Sequence, residues 1–419
     1  MKNSHLSGLL RDGVRFMTPP SSRILTLNGG SSSIKFALFD SSVAAPTRVL
    51  EGEIQGIGSS SATFRLYDLV KKDQSIRTIS APTRQGAADI LMDWADDKFG
   101  QDALAAVGHR IVFGGTRYRS PERITPEMLD ELKRLRAFYP AHLPEEIGLI
   151  EAFARRLPGL LQIACFDTGF HRDLPRVAQM MAIPRRYEAL GVRRYGFHGL
   201  AYEYLVQELS RVAGTETADG KVILAHLGSG ASLAALSGRK SVETSMGFTP
   251  TSGIPMGTRS GDLDPSLFSY LSLSEGIGAK GFSEMMNDQS GLRGISETSS
   301  DMRELLAAEA GDIRAAEAIA LFCYQIKKCI GAFAAVLGGL DTLIFSGGIG
   351  ERSAVIRSRI CEGLEFLGVE LGEGANAANE GIISQPRSKV SVRVMQANEE
   401  QTIAVAVARL LKNETQVTS

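Results

Sequence analysis

Three short runs in this chain combine glycine with hydroxyl or charged side chains directly after an apolar, β-type segment. They are Asn28-Gly29-Gly30-Ser31-Ser32-Ser33, Gly228-Ser229-Gly230-Ala231-Ser232 and Ser346-Gly347-Gly348-Ile349-Gly350-Glu351. Glycine reaches positive φ and lets a phosphate approach the backbone N–H groups closely. The serine hydroxyls add donors, and Lys35 adds a positive charge just beyond the first run. One such run is more often an ordinary tight turn. Three of them, two in a repeated context, point to phosphate handling. The two common nucleotide loops are absent: there is no G-x-x-x-x-G-K-[ST], and no G-x-G-x-x-G opens a helix after the first strand.

The elements that carry these runs follow from the flanking pattern. Ile24 to Leu27 reads as a strand before the first run, and Ile34 to Phe39 alternates as a second strand after it. Lys221 to Ala225 and Leu233 to Leu236 enclose the second run in the same way. A hairpin unit that recurs roughly 200 residues later implies an internal duplication, at a period far too long for a solenoid. Pro126 to Phe138 reads as a helix, and Gln162 to Asp167 as a buried strand ending on a carboxylate. Ala316, Ile319, Cys323, Ile326, Ile330, Phe333 and Leu337 recur at spacings of 3 and 4, which predicts one long helix ended by Gly338-Gly339. Leu343 to Phe345 is the strand before the third run, and a further helix starts near Ser353. Val390 to Met395 is the last strand, leading through Gln396-Ala397-Asn398-Glu399-Glu400 into a terminal helix. Alternating strands and helices predict α/β domains with mixed sheets.

Composition bounds the rest. At 419 residues the chain exceeds the usual single-core limit, so two domains are expected. A net charge of −1 supplies no global field to recruit nucleic acid or an anionic membrane. The four cysteines form no C-x-x-C pair, which excludes a zinc-ligand pattern and predicts reduced thiols in a reducing, cytoplasmic compartment. No run of 18 uncharged apolar residues predicts a membrane span, and residues 1–22 read as an extension without signal-peptide character.

The motifs together resemble the acetate kinase family of short-chain carboxylate kinases. Asn28 to Phe36 is similar to N-A-G-S-S-S-L-K-F, Gly108-His109-Arg110 to G-H-R, Phe166 to His171 to F-D-T-A-F-H, and Arg194 to Gly199 to R-Y-G-F-H-G. His226 to Ser232 resembles H-L-G-N-G-A-S, and Asp301-Met302-Arg303 lies in an S-S-D-M-R context. The longest match runs from Thr244 to Pro265 and includes Met256-Gly257-Thr258-Arg259-Ser260-Gly261-Asp262. The matches keep the family's order from about residue 24 to about residue 405.

The resemblance implies the duplicated α/β fold of the actin, sugar kinase and heat-shock-chaperone ATPase superfamily, two domains with a nucleotide cleft between them. The expected division is residues 23–168 plus 400–419 on the acceptor side and 169–399 on the nucleotide side. It further implies reversible phosphoryl transfer between ATP and a short carboxylate, in a homodimer. Arg110 would grip the acceptor carboxylate, with Val112, Phe197, Pro250 and Ala141 around its apolar end. Arg259 would stabilise the transferring group and His198 would donate to one of its oxygens, with His142 a weaker candidate. Asp167 would be a positioning group, since an acceptor carboxylate is already ionised and needs no base. Lys35, His226, Leu227, Gly228, Ser229 and Gly230 would lie along the ATP phosphates. Gly347, Gly348, Ile349, Gly350 and Glu351 would hold the nucleotide, helped by Asp301, Met302 and Arg303. Asn28 and Glu399 would hold Mg²⁺, for which Mn²⁺ would substitute.

The chain departs from the family at several points. Phe113 stands where a histidine is usual, and Ala141 and Leu143 alter P-L-H-N-P. Leu200-Ala201-Tyr202 replace T-S-H, Ser229 replaces an asparagine, and so does Arg352. Alanine at 141 leaves room for a longer acyl chain, and each added buried methylene contributes about 0.8 kcal/mol, so propionate is expected to be used comparably to acetate. The competing readings are a butyrate or branched-chain carboxylate kinase of the same fold and, in a different class, a chaperone-like or regulatory ATPase switch, which would need no carboxylate-binding arginine.

Overall fold

The computed structural model describes residues 22–417 apart from 31, 44, 100–103, 137, 140 and 141. The expectations for residues 1–21, Ser31 and Ala141 therefore lie outside the described residues.

Two mixed sheets organise the chain. The first contains β1 (Arg23–Gly29), β2 (Ser33–Asp40), β3 (Thr47–Gln55), β4 (Ser59–Asp68), β5 (Asp73–Ala81), β6 (Leu104–Ile111), β7 (Glu122–Arg123) and β8 (Leu161–Phe166) in the order β5-β4-β3-β2-β1-β6-β8-β7. The second contains β9 (Lys221–Leu227), β10 (Ala231–Ser237), β11 (Lys240–Thr244), β12 (Thr342–Ser346) and β13 (Ser391–Val394) in the order β11-β10-β9-β12-β13. Within the first sheet, β3-β2-β1-β6-β8 repeats this plan: antiparallel steps across the hairpin strands, then two parallel steps. The duplication read from the two hairpins is thus a duplication of whole sheets.

Both sheets are covered on both faces, which is why their central strands read as nearly continuous apolar runs. On one face of the first sheet, Leu25, Leu27, Phe36 and Leu38 pack with Leu91 and Phe153. On the other, Ile24, Ala37 and Phe39 pack with Ile403, Ala404 and Val407 of the terminal helix, Glu399–Val417. In the second sheet Val222 and Leu224 meet Tyr202, Leu205 and Leu209 of the helix Gly199–Ala213. Ile223 and Ala225 share a core with Phe322, Ile326 and Ile330 of the helix Ile313–Leu337.

That 25-residue helix is long and apolar enough to cross a membrane by length and composition. Its buried stripe packs on the sheet instead, and Lys327 and Lys328 interrupt it. The stripe is rotated from the expected one: Ala315, Ala318 and Phe322 are buried, whereas Ala316 and Leu337 are only partly so. Gly338 ends the helix at φ 66°, as expected. Two other expectations shift at their edges. The helix from Pro126 stops at Leu135, capped by Thr125, and the last strand covers only Ser391–Val394. The run after β12 is not an open turn, because the helix Gly347–Arg352 begins directly at Gly347.

Candidate active site

The C-terminal ends of the parallel strands and the two hairpin turns meet between the sheets. Arg110 is next to last in β6, and Asp167 follows directly on β8. Asp167 is held by its backbone: its N–H donates to the Ile111 carbonyl at 2.9 Å, and its carbonyl accepts from Gly199 at 2.9 Å. The first turn is closed by Gly30 N–H donating to Ser33 at 2.9 Å and is gripped by Arg84, which donates to the Gly30 carbonyl at 2.5 Å.

Four predicted residues converge here. Arg110 donates one Nη to the Asp167 carboxylate and the other to Asn28 Oδ1 at 3.3 Å. Asn28 Nδ2 donates to Glu399 Oε2 at 3.1 Å, and Arg110 Nε lies 3.9 Å from that same oxygen. Burial opposes the Arg110 charge, but Asp167, Glu399 and Glu146 outweigh it and raise its pKa. Burial pushes the Asp167 carboxyl up against the pull of Arg110, and pushes Glu399 up to about 7. Arg110 Nε and Asp167 Oδ1 are buried without a hydrogen-bond partner.

Opposite this cluster stands Arg259. Its Nη1 donates to the Pro250 carbonyl at 3.3 Å and touches Met256 Sδ at 3.8 Å. Burial lowers its pKa, and the nearby Arg110 cation lowers it further. Two guanidinium groups that repel one another across a cleft make a strong site for an anion between them. His142, at the start of the helix Leu143–Arg156, feels both: burial first, then Arg110 and Arg259, hold its pKa down to about 4. The weaker histidine candidate thus lies within electrostatic reach of both arginines.

His198 sits at φ 59° immediately before the helix Gly199–Ala213. Its Nδ1 lies 2.8 Å from Ser232 Oγ, and Tyr202 Oη lies 2.5 Å from the same oxygen. Burial, His226, Arg110 and Arg259 together keep the ring neutral, well below the usual histidine range. A methyl group added to Gly230 would lie 3.4 Å from His198 Nε2 and 3.5 Å from Arg259 Nη1. The second glycine turn thus presses on the histidine and the arginine at once.

The phosphate-side residues divide into two groups. Gly228 and Ser229 are fixed by Gly228 N–H donating to Gly230 at 3.1 Å and Gly257 N–H donating to Ser229 at 3.0 Å. Gly347, at φ 75°, backs onto the end of β9, where an added Cβ would come within 2.6 Å of the Leu227 carbonyl. Gly348 is exposed, Ile349 is half-buried against the core, and Gly350 is buried. His226 Nδ1 and Ser346 Oγ are buried without hydrogen-bond partners, and the His226 ring is 5.0 Å from that of His198.

Other predicted residues serve the chain more than an opening. Glu351 accepts Gly347 N–H at 2.9 Å, so both close their own helix turn rather than point outward. Asp301 caps the helix Met302–Ala308 and binds the exposed Arg303. The side chains of Leu227 and Met302 are core, leaving only their backbone to meet a ligand. Lys35 is exposed opposite Asn28 in the hairpin register, within electrostatic reach of Glu399. Val112 and Phe197 are buried in one core cluster, and Phe113 packs between Tyr139 and Tyr195 at ring distances of 4.3 Å and 4.7 Å.

Among the described residues no group of three or more His, Cys, Asp or Glu side chains could hold a metal. Mg²⁺ needs no such cage, because it keeps several waters and uses one or two carboxylates. Glu399, half-buried with Asn28 beside it at 3.1 Å, fits that role.

The sequence pattern did not single out Glu146, Arg84, Ser232 or Tyr202. Ser232 lay inside a recognised motif and Tyr202 at a departure from one. Glu146 stands in a helix's first turn, where an acidic residue is ordinary and carries no signal of its own.

The model of the acetokinase family matches residues 23–405. An acetate kinase of Rhodopseudomonas palustris (strain TIE-1) is 44% identical over 395 residues, covering 92% of this chain and 98% of that protein. A propionate kinase of Citrobacter rodentium is 40% identical over 402 residues, covering 95% and 99%. The crystal structure of Porphyromonas gingivalis acetate kinase superposes with a TM-score of 0.83 at 34% identity, covering 94% of this chain and all of that one. The propionate kinase of Francisella tularensis gives 0.86 at 33% identity, covering 92% and 98%.

Proposed function

This chain belongs to the acetokinase family, and from that premise we propose that it is an acetate kinase, transferring the γ-phosphoryl group of ATP reversibly to acetate to give acetyl phosphate and ADP. The observation that carries this reading is that Arg110, Arg259 and neutral His198 lie within electrostatic reach of one another, with His198 and Arg259 both against Gly230 of the second glycine turn. A nucleotide switch would have no use for a second guanidinium opposite the phosphate turns.

The chemistry follows from charge. An acetate oxygen attacks the γ-phosphorus, the bond to the β–γ bridging oxygen breaks, and ADP leaves with that electron pair. No proton moves, because acetate is already an anion. Arg110 binds and orients the carboxylate, held in place by Asp167 and Asn28. Arg259 meets the equatorial oxygens as charge spreads over them in the transition state. His198 donates from Nε2 if Nδ1 accepts from Ser232, and Tyr202 can supply the proton that frees the serine hydroxyl to do so. Mg²⁺, or Mn²⁺ in its place, held by Glu399 and Asn28, would neutralise charge on the β- and γ-phosphates.

Trapping acyl phosphate with hydroxylamine tests the reading. Hydroxamate should form in step with ADP when acetate is supplied; ATP loss without hydroxamate would overturn the assignment in favour of an ATPase switch. Propionate enters as a second substrate, since relatives of both names match the chain over more than 90% of its length, at 44% and 40% identity. Its kcat/KM should fall within tenfold of that for acetate, and a larger preference for acetate would rule it out.

We also read the chain as two domains, residues 23–168 plus 400–419 and 169–399, a division supported by the terminal helix packing on the first sheet. The homodimer reading is supported by an exposed apolar surface: the helix Ser266–Glu275 buries no residue, and Tyr270 and Leu273 are 66% and 90% exposed, with Ile313 and Tyr324 also exposed. Sedimentation of Leu273→Asp as a monomer, with the parent chain a dimer, would support it; a monomeric parent would end it. A cytoplasmic location agrees with the four free cysteines.

A further inference from the structure

Glu146 is a carboxyl group that the mechanism above leaves unused. It lies in the first turn of the helix Leu143–Arg156 and is 2% exposed. Both of its oxygens accept the same N–H, that of Val112, at 3.2 Å and 3.0 Å. Val112 follows the last residue of β6, so its N–H has left the sheet ladder and needs an acceptor. No lysine or arginine nitrogen of the described residues is recorded within 4 Å of Glu146. A buried carboxylate with one amide donor and no paired cation is strongly disfavoured, so the group is held as the neutral acid.

We propose that Glu146 is a positioning residue for the acceptor: as a neutral acid it ties Val112, and through it the end of the strand that carries Arg110, to the helix Leu143–Arg156, and its ionisation weakens binding of the acceptor carboxylate. The inference rests on the carboxylate kinase reading above.

The charged groups around Glu146 set the direction. Arg110 comes from β6, Asp167 from the end of β8, and Arg84 from the helix Arg84–Phe99; Glu145 and His142 share its own element. Arg110 already faces Asp167 and Glu399. A third negative charge behind it would reduce its hold on an incoming carboxylate. Burial pushes the Glu146 carboxyl up to about 8, with Arg110 pulling the other way. The group is thus mostly neutral at pH 7 and mostly ionised at pH 9. In the carboxylate kinase reading Val112 belongs to the apolar end of the acceptor site, so the same hydrogen bond that satisfies the strand end would also set the pocket wall. A glutamine would keep that wall and lose the titration.

The test measures KM for acetate and kcat from pH 6.5 to pH 9.5, with hydroxamate as readout and ATP and Mg²⁺ saturating. In the parent enzyme KM should rise about threefold or more between pH 7 and pH 9 with kcat little changed. In Glu146→Gln that rise should vanish while kcat at pH 7 stays near the parent value. A parent KM that is flat above pH 8 overturns the proposal without any variant, so a poorly folding variant cannot rescue it. An equal rise in Glu146→Gln also overturns it. Absence of hydroxamate from the parent at pH 7 would instead count against the carboxylate kinase reading itself.

Discussion

Neutral His198 can donate a hydrogen bond to a phosphoryl oxygen in only one of its two tautomers, and the choice lies with Ser232. With Tyr202 donating to Ser232 and Ser232 donating to Nδ1, the proton sits on Nε2, on the side of Gly230 and Arg259. Ser232→Ala should therefore leave the fold intact and lower kcat about tenfold, the worth of roughly 1.4 kcal/mol of transition-state hydrogen bonding. Tyr202→Phe should act in the same direction and by less. Steady-state kinetics check both, and an unchanged kcat in Ser232→Ala would remove the tautomer argument. At this scale it was the family resemblance of the motifs that nominated Arg110, Asp167, His198 and Arg259, since a lone arginine or histidine is more often structural. They could not name Ser232 as a partner, since a serine 34 residues away from a histidine carries no spacing signal.

The elements place those residues through a few glycines whose backbone no other residue adopts easily. Gly347 has φ 75°, and a Cβ there would come 2.6 Å from the Leu227 carbonyl, so the start of its helix rests on the end of β9. Its neighbour Gly348 has an ordinary φ, and a Cβ would meet nothing within 4 Å. Gly347→Ala should cost more than about 1 kcal/mol of stability and lower Tm, whereas Gly348→Ala should keep Tm and raise KM for ATP. Thermal unfolding with parallel ATP titration separates the two, and equal Tm losses would contradict the packing argument. Both hairpins and the long helix were legible because their apolar periods are short-range. The third glycine run was less so: the same residues suit an open turn or a helix start, and contact with β9 decides between them.

The whole molecule buries histidines in the neutral form on both sides of the cleft, and this predicts its acid behaviour. His109, bonded to Gln162 at 2.7 Å, and His171, bonded to Ser241 at 2.8 Å and to the Phe197 carbonyl at 3.1 Å, are each held down to about 4 by burial. Between pH 6.5 and pH 4 the unfolded chain binds protons that the folded chain refuses, so stability falls as pH falls through that window. Each of these two histidines should account for up to about 3 kcal/mol of the loss. Between pH 7 and pH 4 the buried carboxyls Glu146 and Glu399 act in the opposite sense, so the histidine contribution is read as a difference: Tm should change less favourably with acid in the parent than in His109→Gln, and parallel curves for parent and variant would refute the assignment. The recurrence of the hairpin unit was determined by the sequence alone, because hairpin periodicity is a local property, and motif order alone carried the family resemblance that nominates Arg110 and Arg259. Only the tertiary structure decided that Glu146 stands neutral behind Arg110, that Glu351 turns back onto its own helix, and that Asp301 and Arg303 bind each other. Those outcomes depend on burial and on which charge lies nearest in space, and neither quantity is written in the spacing of residues along a chain.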